Sequence, residues 1–479
     1  MKNFQDSKAL LNHAKTLLNK SLKEQVGSSI IEYKGKGQLG QSVEKNFFNY
    51  EPNSKQEPDF HSIGIELKCT PIKLIRQKKD SNEFRLKKGY SAKERIVLTM
   101  IDYEKIIDES WEKSTVITKI KLLLMFYLFE EKKKFFEYIF ILIDLWEPSR
   151  DDMKIIKNDW EYIRKVVNDG KAHEISEGDT LYLGACTKGV NALSFRKQPY
   201  SHIMAKQRAF SLKQSYVNSI IEELLLRELN VTNGTVSILT HEDNSIENSI
   251  NRMLSAFIGK NILELCEMFS IKIPSDAIPY QFYNTVIKKI LGADEKTSIV
   301  ELEKSGIKMK TIRVSESGSL PESMSFPAFK FKKIAQEEWE DSELKEQLEN
   351  QKYLLIILEF IGTNISFKNL KGKRKLESLT FKNLILWNMP MNDIEQKAKP
   401  VWVKTVEVIK SGKVYKMKSI GIKRESLFPK SSEFDAMHVR PHGSDANDVD
   451  ELPNGETFTK QCFWFNKSYL KEIIEKNNG

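Results

Sequence analysis

Pro58-Asp59-Phe60-His61-Ser62-Ile63-Gly64-Ile65-Glu66-Leu67-Lys68-Cys69 is the stretch from which the rest of the chain can be read. Ile63, Ile65, Leu67 and Cys69 alternate with Glu66 and Lys68, and a period of two predicts a half-buried strand. Residues two apart on a strand point to one face, so Glu66 and Lys68 share its polar side. Asp59 stands just ahead, where the chain can bring its carboxylate to the same end. Upstream, Gly37 and Gly40 lead into a predicted helix carrying Glu44, a candidate third carboxylate.

Outward from this strand the chain repeats itself. Gly64-Ile65-Glu66-Leu67-Lys68 recurs as Gly306-Ile307-Lys308-Met309-Lys310, and Trp111-Glu112-Lys113-Ser114 as Trp339-Glu340-Asp341-Ser342. Leu145-Trp146-Glu147-Pro148 recurs as Leu386-Trp387-Asn388-Met389-Pro390. Trp160 and Gly170 recur as Trp402 and Gly412, and Gln214-Ser215-Tyr216 as Lys467-Ser468-Tyr469. The five matches are collinear, with offsets from 228 (Trp339 against Trp111) to 253 (Lys467 against Gln214). Two homologous domains, 1–230 and 249–479, joined by a polar linker at 231–248, are therefore expected. Within the first copy, the apolar run Phe135 to Leu145 predicts a buried strand. Ile156, Trp160, Ile163 and Val167 predict one helix face, with Gly170 past its end. The fold class is α/β (α+β), a mixed sheet flanked by helices in each copy.

Composition agrees with this reading. A chain of 479 residues is too long for one ordinary core. With 40% hydrophobic and 29% charged residues it should fold as a globular protein, and its net charge of +9 suits a polyanion partner. Cys69, Cys186, Cys266 and Cys462 are dispersed, without CxxC spacing. That argues against a thiolate zinc site and a disulfide framework, and for a reducing cytoplasm. Asp6 and Ser7 before Leu10, Ala14, Leu17 and Leu18 predict an amphipathic helix rather than a signal peptide. The apolar run Leu122 to Phe129 is too short to span a bilayer, so no membrane segment is expected.

Hydrolysis of a phosphodiester needs a deprotonated nucleophile, a neutralised phosphate and a stabilised leaving oxygen. Mg²⁺ held by two or three carboxylates, with a nearby lysine, supplies most of this. The spacing Asp59, Glu66, Lys68 alone is weak, since it arises by chance in roughly one such chain in every few. Taken bare it describes a surface strand with an exposed Glu–Lys pair. The wider pattern is more specific. Lys36-Gly37-Gln38-Leu39-Gly40-Gln41-Ser42-Val43-Glu44, Pro58-Asp59 and Gly64 to Pro71 resemble the MutH family of GATC-specific endonucleases. The match continues through Trp111 to Lys119, Asp159-Trp160-Glu161 and Lys188-Gly189-Val190-Asn191-Ala192. The doubled chain resembles the type II restriction enzymes of that family, in which an active copy precedes a degenerate one.

The resemblance implies two tandem restriction-endonuclease-like domains. It also implies Mg²⁺-dependent cleavage of both strands of unmethylated double-stranded DNA at GATC, leaving 5′-phosphates. Glu44, Asp59 and Glu66 match the metal-binding carboxylates, Lys68 and Lys119 the active-site lysines, and Lys188 the lysine of the base-reading loop. A lysine there can donate to guanine O6 and N7. Cys186 stands where the family has an arginine. Phe210 and Ser211 fall where the family places a loop near the adenine, and Ser211 departs from the aromatic found there. A bacterial cytoplasmic enzyme of this kind has a cognate DNA methyltransferase protecting host DNA, and acts as a monomer or a DNA-induced dimer.

The second copy departs where the chemistry resides. Lys308 replaces Glu66 and Lys288 replaces Glu44. Glu301 falls at the place of Asp59, and Asn350 near that of Lys119. Lysines in place of carboxylates disfavour a divalent cation and favour phosphate. Arg440-Pro441-His442 corresponds to the Cys186–Lys188 loop and restores an arginine able to read guanine. The second copy is thus expected to bind another site as an allosteric effector. Three rivals are weighed against this. Gly35-x-Gly37-x-x-Gly40 after Ser29 to Tyr33 is a lone dinucleotide-binding match with no convincing second strand. A non-catalytic DNA-binding protein conflicts with the intact Glu44, Asp59, Glu66, Lys68 set. A methyl-directed nicking repair endonuclease conflicts with the duplication.

Overall fold

The computed structural model describes residues 4–27, 30–33, 35, 37–52, 56–75, 89–189, 194–229, 234–240, 245–275, 277–294, 297–362, 367–417, 424–445 and 447–477. The alternation around Glu66 becomes the strand Glu66–Ile75. It pairs in parallel with Leu122–Leu128, Glu66 opposite Leu122, and that strand pairs antiparallel with Phe140–Trp146. Gly89–Ala92 adds a fourth strand on the other side. Leu67 and Cys69 face the hydrophobic cluster that also contains Leu39, Val43, Phe48, Leu123 and Phe140. Glu66 and Lys68 therefore emerge on the opposite face, as the period of two requires.

The chain divides into two compact units. The first holds residues 1–175, 180–234 and 300–306; the second holds 176–179, 235–299 and 307–479. The expected linker at 231–248 is not simply a tether. Thr235–Val236 pairs in parallel with Ser298–Ile299, and Ile246 opens the helix Ile246–Leu254. Residues 231–233 and 241–244 of it lie outside the described residues.

Each unit repeats one plan. In the second, Lys308–Ser315 pairs in parallel with Lys352–Phe360, Lys308 opposite Tyr353, and Lys352–Phe360 pairs antiparallel with Leu379–Asn388. The glycine before each first strand is left-handed, with φ of 67° at Gly64 and 68° at Gly306. The repeated tryptophans meet alike: Trp111 and Trp160 lie 5.7 Å apart at 59°, Trp339 and Trp402 5.6 Å apart at 54°. Ser114 and Ser342 each cap the helix after their tryptophan. Tyr216 donates to Asp152 (2.9 Å), and Tyr469 to Asp393 (2.7 Å).

A second, three-stranded sheet completes each unit. Leu183–Thr187 pairs with Arg208–Leu212, which also pairs with Ile96–Met100. In the second unit, Met437–Pro441 and Met324–Ala328 flank Gln461–Phe465. The helix Arg150–Asn168 buries Ile156, Trp160, Ile163 and Val167 and ends before Gly170, at φ 71°. Asp6 caps Ser7–Lys15, although Leu17 and Leu18 fall beyond that helix. Among the described residues no helix is long and apolar enough to cross a membrane, and all four cysteines are free.

Two readings change. Phe135 to Leu145 is not one strand: Phe135–Glu137 is a 3-10 turn, closed by Glu137 reaching back to the Lys134 N–H, and the strand starts at Phe140. Ile30 to Tyr33 forms no strand, because the Ile31 backbone is bonded to the Asn46 side chain instead. This removes the strand that a dinucleotide-binding glycine turn requires.

Candidate active site

The helix Gln38–Asn46 buries Leu39, Ser42 and Val43, which leaves Glu44 half-buried at its edge. Asp59 precedes a tight connection in which Phe60 and Ile65 exchange backbone hydrogen bonds around the 3-10 turn His61–Ile63. That connection folds Asp59 back on the strand. Its Oδ2 accepts from the Leu67 N–H at 2.9 Å, while Glu66 Oε2 accepts from the Asp59 N–H at 3.2 Å. Glu66 thereby fixes the Asp59 backbone, and Asp59 fixes the backbone of Leu67, the residue after Glu66.

Glu66 is 3% exposed. Its Oε1 accepts from Lys68 Nζ at 2.8 Å and from Lys119 Nζ at 3.2 Å. Lys119, also buried, follows the short helix Thr115–Thr118, three residues before the strand that pairs with Glu66. Three carboxylates and two lysines are thus gathered at one end of the parallel strand pair. Burial, then the charge of Asp59, pushes the Glu44 carboxyl up to about 7. Burial, then the charge of Glu66, raises Asp59 as well. Acids crowded out of water disfavour their own ionisation, and a divalent cation relieves that strain. Among the described residues no three His, Cys, Asp or Glu side chains stand close enough to hold a metal as the side chains lie. The Glu66 oxygens accept from two ammonium groups and a backbone N–H. Hard carboxylate oxygens nevertheless fit a hard divalent cation.

The base-reading candidates lie elsewhere in the fold. Lys188 is exposed just past the strand Leu183–Thr187, and its N–H donates to the Gln207 carbonyl at 2.8 Å. Residues 190–193 after it lie outside the described residues. In the second unit the His442 N–H donates to the Lys460 carbonyl at 2.9 Å, so register makes His442 the counterpart of Lys188. Register likewise makes exposed Arg440 the counterpart of buried Cys186. The Arg440 guanidinium lies 5.5 Å from the Trp464 ring, and His442 meets that ring edge-on at 5.8 Å. Phe210 and Ser211 are not in a loop. Both are buried within the strand Arg208–Leu212.

One buried acid escaped the sequence reading. Asp159 is 5% exposed and accepts from the N–H groups of Leu181 (2.8 Å), Tyr182 (2.7 Å) and Leu183 (2.9 Å). Lys213 Nζ donates to the adjacent Thr180 carbonyl. This clamp holds the start of the strand that runs to Lys188. A signal was available, because position 159 lies three after Ile156 and four before Ile163, on the apolar face where an unsatisfied acid is not tolerated.

The second unit lacks this arrangement. Lys308 and Lys310 occupy the places of Glu66 and Lys68, and Asn350 that of Lys119, by strand register. Lys288 is exposed on the helix Phe282–Ile290. Glu301 does not stand in for Asp59. It is buried in the helix Val300–Ser305, which belongs to the first unit, with its charge felt by Tyr182.

A strand-borne Glu-x-Lys with an Asp folded back beside it, on a mixed sheet between helices, is a site suited to metal-dependent phosphodiester hydrolysis, the chemistry of a nuclease. A family model described as DNA mismatch repair enzyme MutH matches residues 48–159. The chain is 34% identical to the type II restriction enzyme Sau3AI of Staphylococcus aureus, over 99% of both chains. It is 27% identical to the DNA mismatch repair protein MutH of Vibrio campbellii, over 42% of this chain and 84% of that one. It is also 27% identical to the MutH protein of Shewanella woodyi, over 39% of this chain and 76% of that one. The chain belongs to the MutH-like type II restriction enzymes, and is a site-specific deoxyribonuclease.

Proposed function

We propose that the first unit hydrolyses both strands of unmethylated double-stranded DNA at GATC, with Mg²⁺, leaving 5′-phosphates. The second unit binds another copy of the site and acts as an allosteric effector. The observation that carries this reading is the contrast at one strand position. Glu66 is buried between two lysines and beside two further acids, whereas its counterpart is Lys308.

Glu44, Asp59 and Glu66 are the residues that would hold the cation. When bound, it supplies charge neutralisation at the phosphate and a lowered pKa for water. The chain's own groups do the rest. The Leu67 N–H fixes the Asp59 carboxylate, and Lys119 anchors Glu66 from the buried side. Lys68, the more exposed of the two lysines, is the one able to meet a phosphate oxygen or the attacking water. Lys188 reads guanine in the first unit, and Arg440 with His442 in the second. Residues 300–306 pack within the first unit and run directly into the Lys308 strand, a covalent link through which occupancy of the second unit can bias the first. In a bacterial cytoplasm such an enzyme requires a methyltransferase partner, and it works as a monomer or a DNA-induced dimer.

Digestion of unmethylated and adenine-methylated plasmid in Mg²⁺, followed by sequencing of the ends, tests this. Double-strand breaks at every GATC, bearing 5′-phosphates and absent from methylated plasmid, are expected. Cutting at another sequence, or nicks alone, would overturn it.

A further inference from the structure

In the first unit the polar end of the parallel strand pair carries more acid than base. The corresponding place in the second unit carries no acid of its own strand. Lys308 and Lys310 share one face of the strand Lys308–Ser315, Lys308 exposed and Lys310 half-buried. Neither forms an ion pair among the described residues, unlike Lys68 and Lys119, which both bind Glu66. Partial loss of hydration lowers the proton affinity of both lysines, and for Lys308, whose surface is still open to solvent, the neighbouring charge of Lys310 adds to it. Two ammonium groups held side by side without a counter-ion call for an anion. Asn350, at the register position of Lys119, adds an amide with no hydrogen bond of its own among the described residues.

We propose that this former metal position in the second unit is a metal-independent phosphate clamp, in which Lys308 and Lys310, with the Asn350 amide, grip one backbone phosphodiester of duplex DNA. The proposal rests on the reading that the second unit binds DNA. The choice of DNA phosphate follows from the repeated fold. In a deoxyribonuclease the first unit must present a phosphodiester to Glu66 and Lys68. A duplex engaged in the same way by the second unit carries a phosphodiester past Lys308 and Lys310. The protein's own groups also differ in sign: the carboxylates of the first site would need an added cation to meet a phosphate, whereas the lysines of the second meet it directly.

The test uses the full chain in EDTA with a fluorescein-labelled unmethylated duplex carrying one GATC, compared with a scrambled duplex. Without a divalent cation, the acids of the first unit repel phosphate, so binding by the second unit dominates. Lys308→Gln with Lys310→Gln should weaken binding at least about tenfold and lower the slope of log affinity against log salt by about 1, the loss of one neutralised phosphate. Preference for the recognition sequence should be unchanged. Lys308→Arg with Lys310→Arg keeps the charge and should restore affinity, which separates a lost clamp from a misfolded unit. Arg440→Gln should instead reduce the sequence preference and leave the salt slope alone. If Arg440→Gln acts but the lysine variant leaves affinity and slope unchanged, the clamp is wrong and DNA binding by the second unit stands. If neither variant changes binding, that underlying reading fails and the clamp with it. If inorganic phosphate binds the native chain at millimolar concentration and the Gln variant does not, while the lysine substitutions leave duplex affinity unchanged, the site is one for free phosphate, and the assignment to DNA is overturned.

Discussion

Replacing Glu44 by Gln should stabilise the metal-free protein while removing its response to Mg²⁺. Glu44 is half-buried, forms no hydrogen bond through its carboxylate among the described residues and lies within reach of the Asp59 charge. Its ionisation is displaced from an ordinary 4.5 to about 7. That displacement corresponds to about 3 kcal/mol of differential interaction. Partial exposure screens it, and about 2 kcal/mol is the working figure. The sign follows from linkage. The folded chain holds this proton more tightly than the unfolded chain, so stability falls as pH rises from about 4.5 to about 7 and is flat above. Thermal unfolding in EDTA, at pH 5 and pH 8, measures the effect. At pH 8 the Glu44→Gln variant should melt about 4–8 °C above the native chain, from about 2–4 °C per kcal/mol for a unit of this size. At pH 5 the two should nearly coincide. Mg²⁺ should raise the melting temperature of the native chain but not of the variant. A variant no more stable than the native chain at pH 8, or a difference independent of pH, would refute the reasoning.

Asp159→Asn leaves at least one of three N–H groups without its acceptor and should cost about 1–3 kcal/mol. Because the freed segment leads to Lys188, cleavage at GATC should slow more than binding of non-specific DNA weakens, checked by paired cleavage and anisotropy assays. Gly64→Ala places a side chain at φ 67° with open space around its Cβ. The loss should therefore be only the left-handed backbone penalty, about 1 kcal/mol in chemical denaturation. A plasmid with two GATC sites should be cut faster than a one-site plasmid at equal site concentration, and equal rates would remove the effector role of the second unit.

The strand at Glu66, the helix ending before Gly170 and the duplication were legible because each is a local periodic pattern with a matching stop. The grouping of Asp59, Glu66 and Lys68 was legible from their spacing, with Glu44 as a candidate, whereas Lys119 was legible only through resemblance, since it reaches Glu66 by the parallel pairing of distant strands. What stayed hidden depends on non-local partners. Phe135 reads as strand by composition, but it opens a 3-10 turn closed by the Lys134 N–H donating to the Glu137 carboxylate. Glu301 sits five residues before Gly306, as Asp59 does before Gly64. Its helix is nevertheless drawn into the first unit, where Lys304 pairs with Asp152 at 2.7 Å. Ser211 reads as a loop residue by alignment and is a buried strand residue by hydrogen bonding. Asp159 was quoted as part of the resemblance without a role, because its three bonds reach residues more than twenty positions away.

The central claim is that one unit cuts and the other does not, with Glu66 deciding which. Glu66→Gln in the full chain, incubated with unmethylated plasmid and Mg²⁺, tests it directly. Cleavage should disappear while binding to the recognition duplex persists. Persistent double-strand cleavage at GATC by that variant would contradict the account.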